Sequence, residues 1–412
     1  MSYDVQMHYD LSHMTPDDAF ATLVQEFQES LINGGDAEHI SKSPSRVGDV
    51  AMMNHPALIV LGGNDPVQRV LFNPARDANP FFHLYEAMWM LSGNEDIRSL
   101  EIFSSKIASF CSDDGKTANG AYGARWRYAR NPEIPSGPGK AIDQLELLIQ
   151  HLTKNPKSRR AVLQMWMPDK DLLKIDVTKD VCCNTAVYFT IREGNHRDGK
   201  YLDMTVTNRS NDLVLGLMGA NLVHFTILQE YMARSLGVQV GLWYQFTNNL
   251  HVYLTANGGF HPDKWIEGAK NLSPAAVATY TAAYDIGPHG IPLKRLFKRP
   301  EERFDFTRGC EELVRALTSV AGVYQNLPKD VLFFENCAAT VEELVDRNFI
   351  VSNYLRNVVV PLMLSYFLYK MNQDPTRVLD PVQHWAVDWY VAADEWIKRR
   401  LAKKGKVETT DE

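Results

Sequence analysis

Four short runs rich in β-branched and aromatic residues lie between positions 159 and 254, and they constrain the fold more than any other feature of the chain. The runs are RRAVLQMW, TAVYFTI, LDMTVTN and GLWYQFTNNLHVYL. Turn residues separate them, and a long apolar segment at 213–236 divides the third from the fourth, which predicts strands around one long helix. The sequence therefore predicts an α/β (α+β) fold, with a mixed sheet flanked by helices.

Helical periodicity accounts for much of the rest of the chain. It predicts helices at 16–33, 80–92 and 141–153 before the strands, and at 310–322, 340–370 and 382–404 after them. Residues 37–50 and 113–124 are polar or glycine-rich and predict loops. We expect an N-terminal helix and lead-in at 1–39, a main domain at 40–300, and a helical C-terminal extension at 301–412 packed on that domain.

The composition excludes several classes of protein. Hydrophobic residues make up 45% and charged residues 23% of the 412, as in an ordinary globular protein. The five cysteines contain no CxxC pair, which argues against a disulfide framework and favours a reducing compartment. We predict a cytoplasmic protein without membrane contact, because no signal peptide or bilayer-length apolar run is visible. We also expect no metal ion. A net charge of −7 does not suggest direct nucleic-acid binding.

Two arginines and two cysteines are the first candidates for chemistry. Arg159 and Arg160 open a strand and should face opposite sides, so one could be exposed and the other at an interface. They could equally bind phosphate, because guanidinium groups grip phosphate oxygens with paired hydrogen bonds. Cys182 and Cys183 stand beside Asn184 at the head of an apolar strand. Such a thiol is usually a core residue, but in a pocket near an arginine it can act as a nucleophile.

Polar residues interrupt two of the apolar segments. The pentad NRSND at 208–212 reads as a turn and helix cap, yet all five of its residues are polar. Asn221 and His224 then interrupt the apolar helix, where polar groups need partners or a ligand. His251 and Tyr253 alternate onto one strand face, which is commonly just a solvated face.

Glu86 is a candidate of a different kind. The predicted helix around it is otherwise apolar, with the sequence YEAMWM. A carboxylate buried there must be paired or protonated, which makes it a potential proton-transfer group.

Taken together and in order, these segments resemble the thymidylate synthase superfamily, which includes thymidylate synthases and the pyrimidine-nucleotide hydroxymethylases, many of them from bacteriophages. The segments are SPSRVGD, EAMWMLSGN, GAYGARWRY, NPKSRRAVLQMW, DVCCNTAVYF, NRSNDLVLG, NLVHFTILQEYMA and NNLHVYL. The resemblance is strongest to phage-type members. It implies a thymidylate synthase-like catalytic domain at 40–300 and an obligate homodimer in which the paired arginines come from the other subunit.

The resemblance also implies roles residue by residue. The implied catalytic residues are Cys183 as nucleophile, Glu86 as proton shuttle, Tyr122, Asn184 in place of the usual histidine, and Arg209. The implied substrate-binding residues are Arg46, Arg159, Arg160, Arg209 and Ser210 for the phosphate, Asn221 for the pyrimidine edge, and His251 and Tyr253 for the sugar hydroxyl. Asp212 is the residue implied to contact the folate.

The implied reaction begins when the thiolate adds to carbon 6 of a pyrimidine deoxynucleotide monophosphate. Carbon 5 then attacks the one-carbon unit of 5,10-methylenetetrahydrofolate. Hydride transfer would finish with a methyl group, and water with a hydroxymethyl group. The chain lacks the family's apolar C-terminal tail, and the stretch at 107–111 holds no tryptophan, so we expect a site that admits water.

The expected activity is therefore hydroxymethylation of dUMP, since an amide at Asn221 matches uracil whereas a carboxylate would suit cytosine. The alternatives are a dCMP hydroxymethylase, a thymidylate synthase, an inactive relative that binds nucleotide or RNA, and an assembly protein built on the extension. A phage-encoded enzyme would work in the host cytoplasm.

Overall fold

The computed structural model describes residues 7–32, 39–45, 47–62, 68–130, 141–193, 199–282 and 295–408. Its strands are β1 (His8–Asp10), β2 (Ile40–Ser45), β3 (Gly48–Met53), β4 (Ala57–Leu61), β5 (Ala129–Arg130), β6 (Ala141–Ile142), β7 (Val162–Gln164), β8 (Asn184–Glu193), β9 (Lys200–Asn208), β10 (Asn211–Asp212), β11 (Gln239–Thr247) and β12 (Leu250–Tyr253). Among these residues, six strands form a mixed sheet in the order β1–β4–β11–β9–β8–β7, and four form a second sheet in the order β10–β12–β3–β2.

Helices cover both ends of the chain and one face of the larger sheet. They are α1 (Pro16–Ile32), α2 (Pro80–Leu91), α3 (Ile107–Cys111), α4 (Tyr122–Arg127), α5 (Gln144–Lys154), α6 (Asn221–Ser235), α7 (Pro262–Lys270), α8 (Pro274–Ala282), α9 (Arg303–Val323), α10 (Val331–Asp346), α11 (Val360–Lys370), α12 (Thr376–Leu379) and α13 (Val387–Glu408). This arrangement confirms the predicted mixed α/β fold.

The two faces of the larger sheet differ, as the side-chain alternation of its strands requires. Val187, Met204 and Trp243 point inward and are buried, with α6 packed on that side of β9 and β11. On the opposite face of the sheet, the large rings of Tyr188 and Phe246 are exposed. The sheet is thus covered on one face and open on the other.

The apolar segment at 213–236 is not the single regular helix that the sequence predicts. Residues Leu213–Ala220 form a wide helical turn in which Met218 and Gly219 leave helical geometry, and α6 begins only at Asn221. The carbonyl of Val214 instead accepts a hydrogen bond of 3.1 Å from Nε of Arg76. The stretch Leu213–Ser235 is long and apolar enough to cross a membrane, but 83% of its most apolar window is buried within the fold, as in a core helix.

The C-terminal helices share the hydrophobic core of the rest of the chain. The rings of Tyr366 and Trp396 pack on Phe81 of α2, with centroids 5.2 Å and 5.5 Å away, and the Cys310 thiol lies 3.6 Å from the Met88 sulfur. One continuous core therefore includes α2 and the extension. The domain boundaries themselves stay a prediction.

Two other expectations from the sequence are wrong. Residues 37–50 read as a loop, but 40–45 and 48–50 lie in the paired strands β2 and β3. The segment 340–370 read as one helix, but it contains the end of α10 and a separate α11. Both errors have a local cause: β2 is a polar edge strand, and Asn348 takes a left-handed conformation with φ of 55° just after α10.

Candidate active site

A cavity of about 1100 Å³ opens beside the starts of β8 and β10, between α2, α4 and the wide turn before α6. The predicted site residues in its wall are Glu86, Tyr122, Cys183, Arg209, Ser210, Asp212, Asn221, His251 and Tyr253. These residues come from seven separate segments of the chain, and the fold brings them together. The cavity exceeds the usual 300–1,000 Å³ of a small-molecule site, so it has room for two ligands side by side.

Cys183 and Arg209 form the reactive corner of this cavity. The backbone N–H of Arg209 donates to the Cys183 carbonyl at 2.9 Å, which ties the start of β8 to the end of β9. The guanidinium then donates to the carbonyls of Val181 and Cys182 at 2.7 Å and 3.0 Å. This anchoring leaves one guanidinium nitrogen 3.7 Å from the Cys183 sulfur, where its positive charge favours a thiolate.

The neighbouring Cys182 is not a second nucleophile. Its side chain is 1% exposed and its thiol donates to the Asn184 carbonyl at 3.0 Å. Burial raises the pKa of the Cys182 thiol to about 12. Of the two adjacent thiols, the structure gives only Cys183 to the cavity.

Glu86 sits on the face of α2 that borders the cavity. Asn79 caps this helix by accepting from the Phe82 N–H, and Pro80 follows at the first position, so the start of the helix is well defined. Glu86 Oε2 lies 3.0 Å from Nε2 of His224 on α6, and both side chains border the cavity. The sequence singled out His224 as a polar interruption but gave it no role.

Asn221 faces the cavity at the first position of α6 and is held by Asn211. Its Nδ2 donates to Oδ1 of Asn211 at 3.1 Å, and both side chains are buried. Gly216 completes the arrangement, because a Cβ at that position would collide with Asn211 Oδ1. Ala220 also borders the cavity, but only Asn221 brings an amide.

Asp212, His251 and Tyr253 form a third group, on paired strands. Asp212 and His251 are direct neighbours across β10 and β12, and Asp212 caps the following turn by accepting from the Leu215 N–H, as predicted. Burial raises the pKa of Asp212 and lowers the pKa of His251. A neutral imidazole is therefore favoured beside Tyr253, whose ring centre is 5.4 Å away.

Tyr122 and Asn184 occupy different positions relative to the cavity. Tyr122 starts α4 and borders the cavity, and burial raises the pKa of its phenol, which keeps the hydroxyl a hydrogen-bond donor at neutral pH. Asn184 is fully buried beside that hydroxyl and is not part of the cavity wall. Asp180, which the sequence did not single out, borders the cavity and accepts from the Gly120 N–H at 2.6 Å.

Of the predicted phosphate arginines that the structure describes, only Arg209 lies in the cavity wall. Arg159 and Arg160 are both exposed, and neither borders it. Arg46 lies outside the described residues, between Ser45 and Val47, which both border the cavity. Among the described residues, no three His, Cys, Asp or Glu side chains are placed to hold a metal ion.

The cavity therefore holds an anchored thiol beside a guanidinium group, among amides and hydroxyls, and this set of groups suits an enzyme active site. The thymidylate synthase family profile matches residues 78–273, which include most of this cavity.

Relatives extend the similarity to most of the chain. The "Deoxyuridylate hydroxymethyltransferase" of Pseudomonas phage M6 is 35% identical over 364 residues, 87% of each chain. The protein of the same name from Bacillus phage SP01 is 37% identical over 200 residues, 48% of this chain and 50% of that one. A "Thymidylate synthase" of Vesicomyosocius okutanii is 23% identical over 224 residues, 54% of this chain and 71% of that one. The chain belongs to the thymidylate synthase family.

Proposed function

We propose that this protein converts dUMP to 5-hydroxymethyl-dUMP with 5,10-methylenetetrahydrofolate as the one-carbon donor. The observation that carries the proposal is the Cys183–Arg209 pair, with its S···N distance of 3.7 Å, in one cavity with Glu86 and Asn221. The hydroxymethyltransferase of phage M6 supports it, because its similarity covers 87% of this chain and so reaches into the C-terminal helices.

The described residues can bind a nucleotide at its three parts. Arg209 and Ser210 supply a guanidinium and a hydroxyl for the phosphate, and the neutral His251 with Tyr253 suits a sugar hydroxyl. Asn221 presents an amide to the base. Since Asn211 takes one N–H of this amide, the other N–H and the oxygen are left for uracil O4 and N3–H.

We propose that the active form is a homodimer that completes the phosphate site. Arg159 and Arg160 are exposed just before β7, at the edge of the open sheet face, where Val162, Tyr188 and Phe246 expose large apolar side chains. A two-fold packing of this face would bury those side chains and bring the arginine pair to the partner's cavity. The double variant Arg159→Ala, Arg160→Ala should raise the KM for dUMP much more than it lowers kcat.

The cavity also suits the folate. Its volume exceeds what a nucleotide needs, and Trp89, Ile107, Phe110 and Leu215 give it apolar surface against which flat rings can pack. Asp212 also borders the cavity, close to Leu215, which lies in the turn that Asp212 caps. When bound, the folate supplies a carbon at the oxidation level of formaldehyde.

The protein residues divide the chemistry between them. The Cys183 thiolate adds to carbon 6, which makes carbon 5 nucleophilic, and Arg209 stabilises the thiolate before addition and after release. Glu86 moves protons at the ring oxygen through water. Binding through the distant phosphate orients the ring for these steps.

The test is a product analysis of the purified protein with dUMP or dCMP and methylenetetrahydrofolate. We expect a nucleotide product heavier than dUMP by the mass of CH₂O, together with tetrahydrofolate. Formation of dTMP and dihydrofolate would identify a thymidylate synthase instead, and a product from dCMP alone would identify a dCMP hydroxymethylase. Nucleotide binding without any product would indicate an inactive relative.

A further inference from the structure

The contact between Glu86 and His224 joins α2 and α6, two largely buried helices of the site. Glu86 Oε2 and His224 Nε2 are 3.0 Å apart, with side-chain exposures of 12% and 1%. This contact falls short of hydrogen-bond geometry, and neither nitrogen of the imidazole makes a well-formed hydrogen bond with a described residue. Both residues border the cavity. The pair is therefore built into rigid helices and turned toward the ligand space.

A buried pair of this kind destabilises the fold unless a ligand or water supplies the missing hydrogen bonds. Buried polar groups without hydrogen bonds destabilise a fold, so structures retain them where they serve a bound molecule. The imidazole next to Glu86 can hold this carboxylate in one orientation and can share its proton. A carboxylate held this way can take a proton from a water molecule on its open side.

Resting on the proposed function, we propose that His224 is a positioning residue for the addition of water. After the folate has left, the pyrimidine carries a methylene group on carbon 5 and the Cys183 sulfur on carbon 6. The water oxygen bonds to the methylene carbon while Glu86, held by His224, takes one water proton. The electron pair moves onto O4 and then returns to form the C5–C6 double bond, and the C6–S bond breaks to release the thiolate. No oxidant or reductant is consumed.

The reverse of this step allows a test without any folate. Incubated with 5-hydroxymethyl-dUMP in H₂¹⁸O, the enzyme should expel the hydroxyl group and add it back from water, which mass spectrometry detects as ¹⁸O in the nucleotide. A second folate-free assay, exchange of the dUMP C5 hydrogen for deuterium in D₂O, reports the addition of Cys183 and the proton transfer at carbon 5, without the water step. His224→Gln should slow ¹⁸O exchange by about 100-fold while C5 exchange and dUMP affinity change little.

His83→Gln is the matched control. His83 lies on α2 one turn before Glu86, but outside the cavity. This variant should leave both exchange rates unchanged. If His224→Gln leaves ¹⁸O exchange unchanged, or slows both exchanges equally, the inference is overturned. If the wild type shows no ¹⁸O exchange and makes dTMP from dUMP with the folate, the proposed function itself fails.

A second variant covers the case in which glutamine disturbs the core. His224→Ala leaves space for a free imidazole beside Glu86. Added imidazole should restore ¹⁸O exchange selectively, by about 10-fold or more. If imidazole restores nothing although the variant remains folded by circular dichroism and still exchanges the C5 hydrogen, His224 has no part in the water step.

Discussion

The two faces of α2 differ in polarity and in packing. Toward the cavity, the helix presents Glu86, whose Oε2 has no well-formed hydrogen bond to another described residue. Toward the C-terminal extension it presents Phe81, which packs against the rings of Tyr366 and Trp396. One face of α2 therefore contributes to the stability of the fold, and the other contributes to the site. On the apolar face the packing is complete, whereas on the cavity face a polar group is left to interact with a ligand.

The largest expected effect is on the cavity face. Cys183→Ala should lower turnover by about 10⁴-fold or more, because without the sulfur carbon 5 is not activated. Deuterium exchange at C5 of dUMP should disappear as well. Phosphate and sugar contacts remain, so the Kd for dUMP, measured by calorimetry, should change little. Persistent C5 exchange in this variant would rule out Cys183 as the nucleophile.

The next effect belongs to the core that the C-terminal extension shares with the rest of the chain. Phe367 is fully buried and its ring lies 5.9 Å from Phe103, so Phe367→Ala should lower the free energy of unfolding by about 3–5 kcal/mol. The folded fraction should keep its kcat. Urea unfolding followed by circular dichroism measures the change. An unchanged midpoint would show that the extension does not contribute to a shared core.

Phe110→Ala is the contrasting variant, since this phenylalanine is 43% exposed and borders the cavity. Stability should stay within about 0.5 kcal/mol. The KM for the folate should rise by roughly 10-fold, in line with the loss of one aromatic contact. If the two phenylalanines exchanged these behaviours, the proposed division between the shared core and the cavity would be wrong.

A more selective effect is expected at the base. Asn221→Asp should lower kcat/KM for dUMP by about 10²-fold, because an ionised carboxylate cannot donate to O4 and instead accepts from the amino group of cytosine. Steady-state rates with dUMP and dCMP measure the change in preference. Asn211→Ala, which removes the contact of 3.1 Å, should weaken the preference for dUMP without reversing it. Equal preference in all three proteins would remove Asn221 from base recognition.

The sequence predicted β7, β8, β9, β11, β12 and the buried helices because their residues alternate or recur with a clear period, but it gave no strand at β1, β3 or β4. It missed β2, since the polar run ISKSPS has no such period and pairs only at an edge. It also missed the break at Met218 and Gly219, because a kinked helix and a straight one have the same apolar composition.

The site residues were predictable because the ordered motifs that contain them resemble those of the thymidylate synthase superfamily. Ordered motifs brought Cys183, Arg209 and Asn221 into view, and the structure places all three in one cavity. The partner of Glu86 was not predictable, because His224 lies far along the chain and only the packing of α6 against α2 brings the two side chains within 3.0 Å. Nor could spacing distinguish Cys182 from Cys183, which differ only in the direction that each side chain takes.

Cys182 gives the smallest effect and tests this last distinction. Cys182→Ala should leave kcat within about threefold and lower stability by roughly 1–2 kcal/mol, as expected for a small buried side chain that loses one hydrogen bond. Because burial raises the pKa of this thiol to about 12, only about one part in 10⁴ is thiolate at pH 8, and iodoacetamide should not modify it in the folded protein. Cys183 should react, and dUMP should protect it. Peptide mass spectrometry after alkylation separates the two sites, and rapid labelling of Cys182 would mean that the buried wall of the cavity opens in solution.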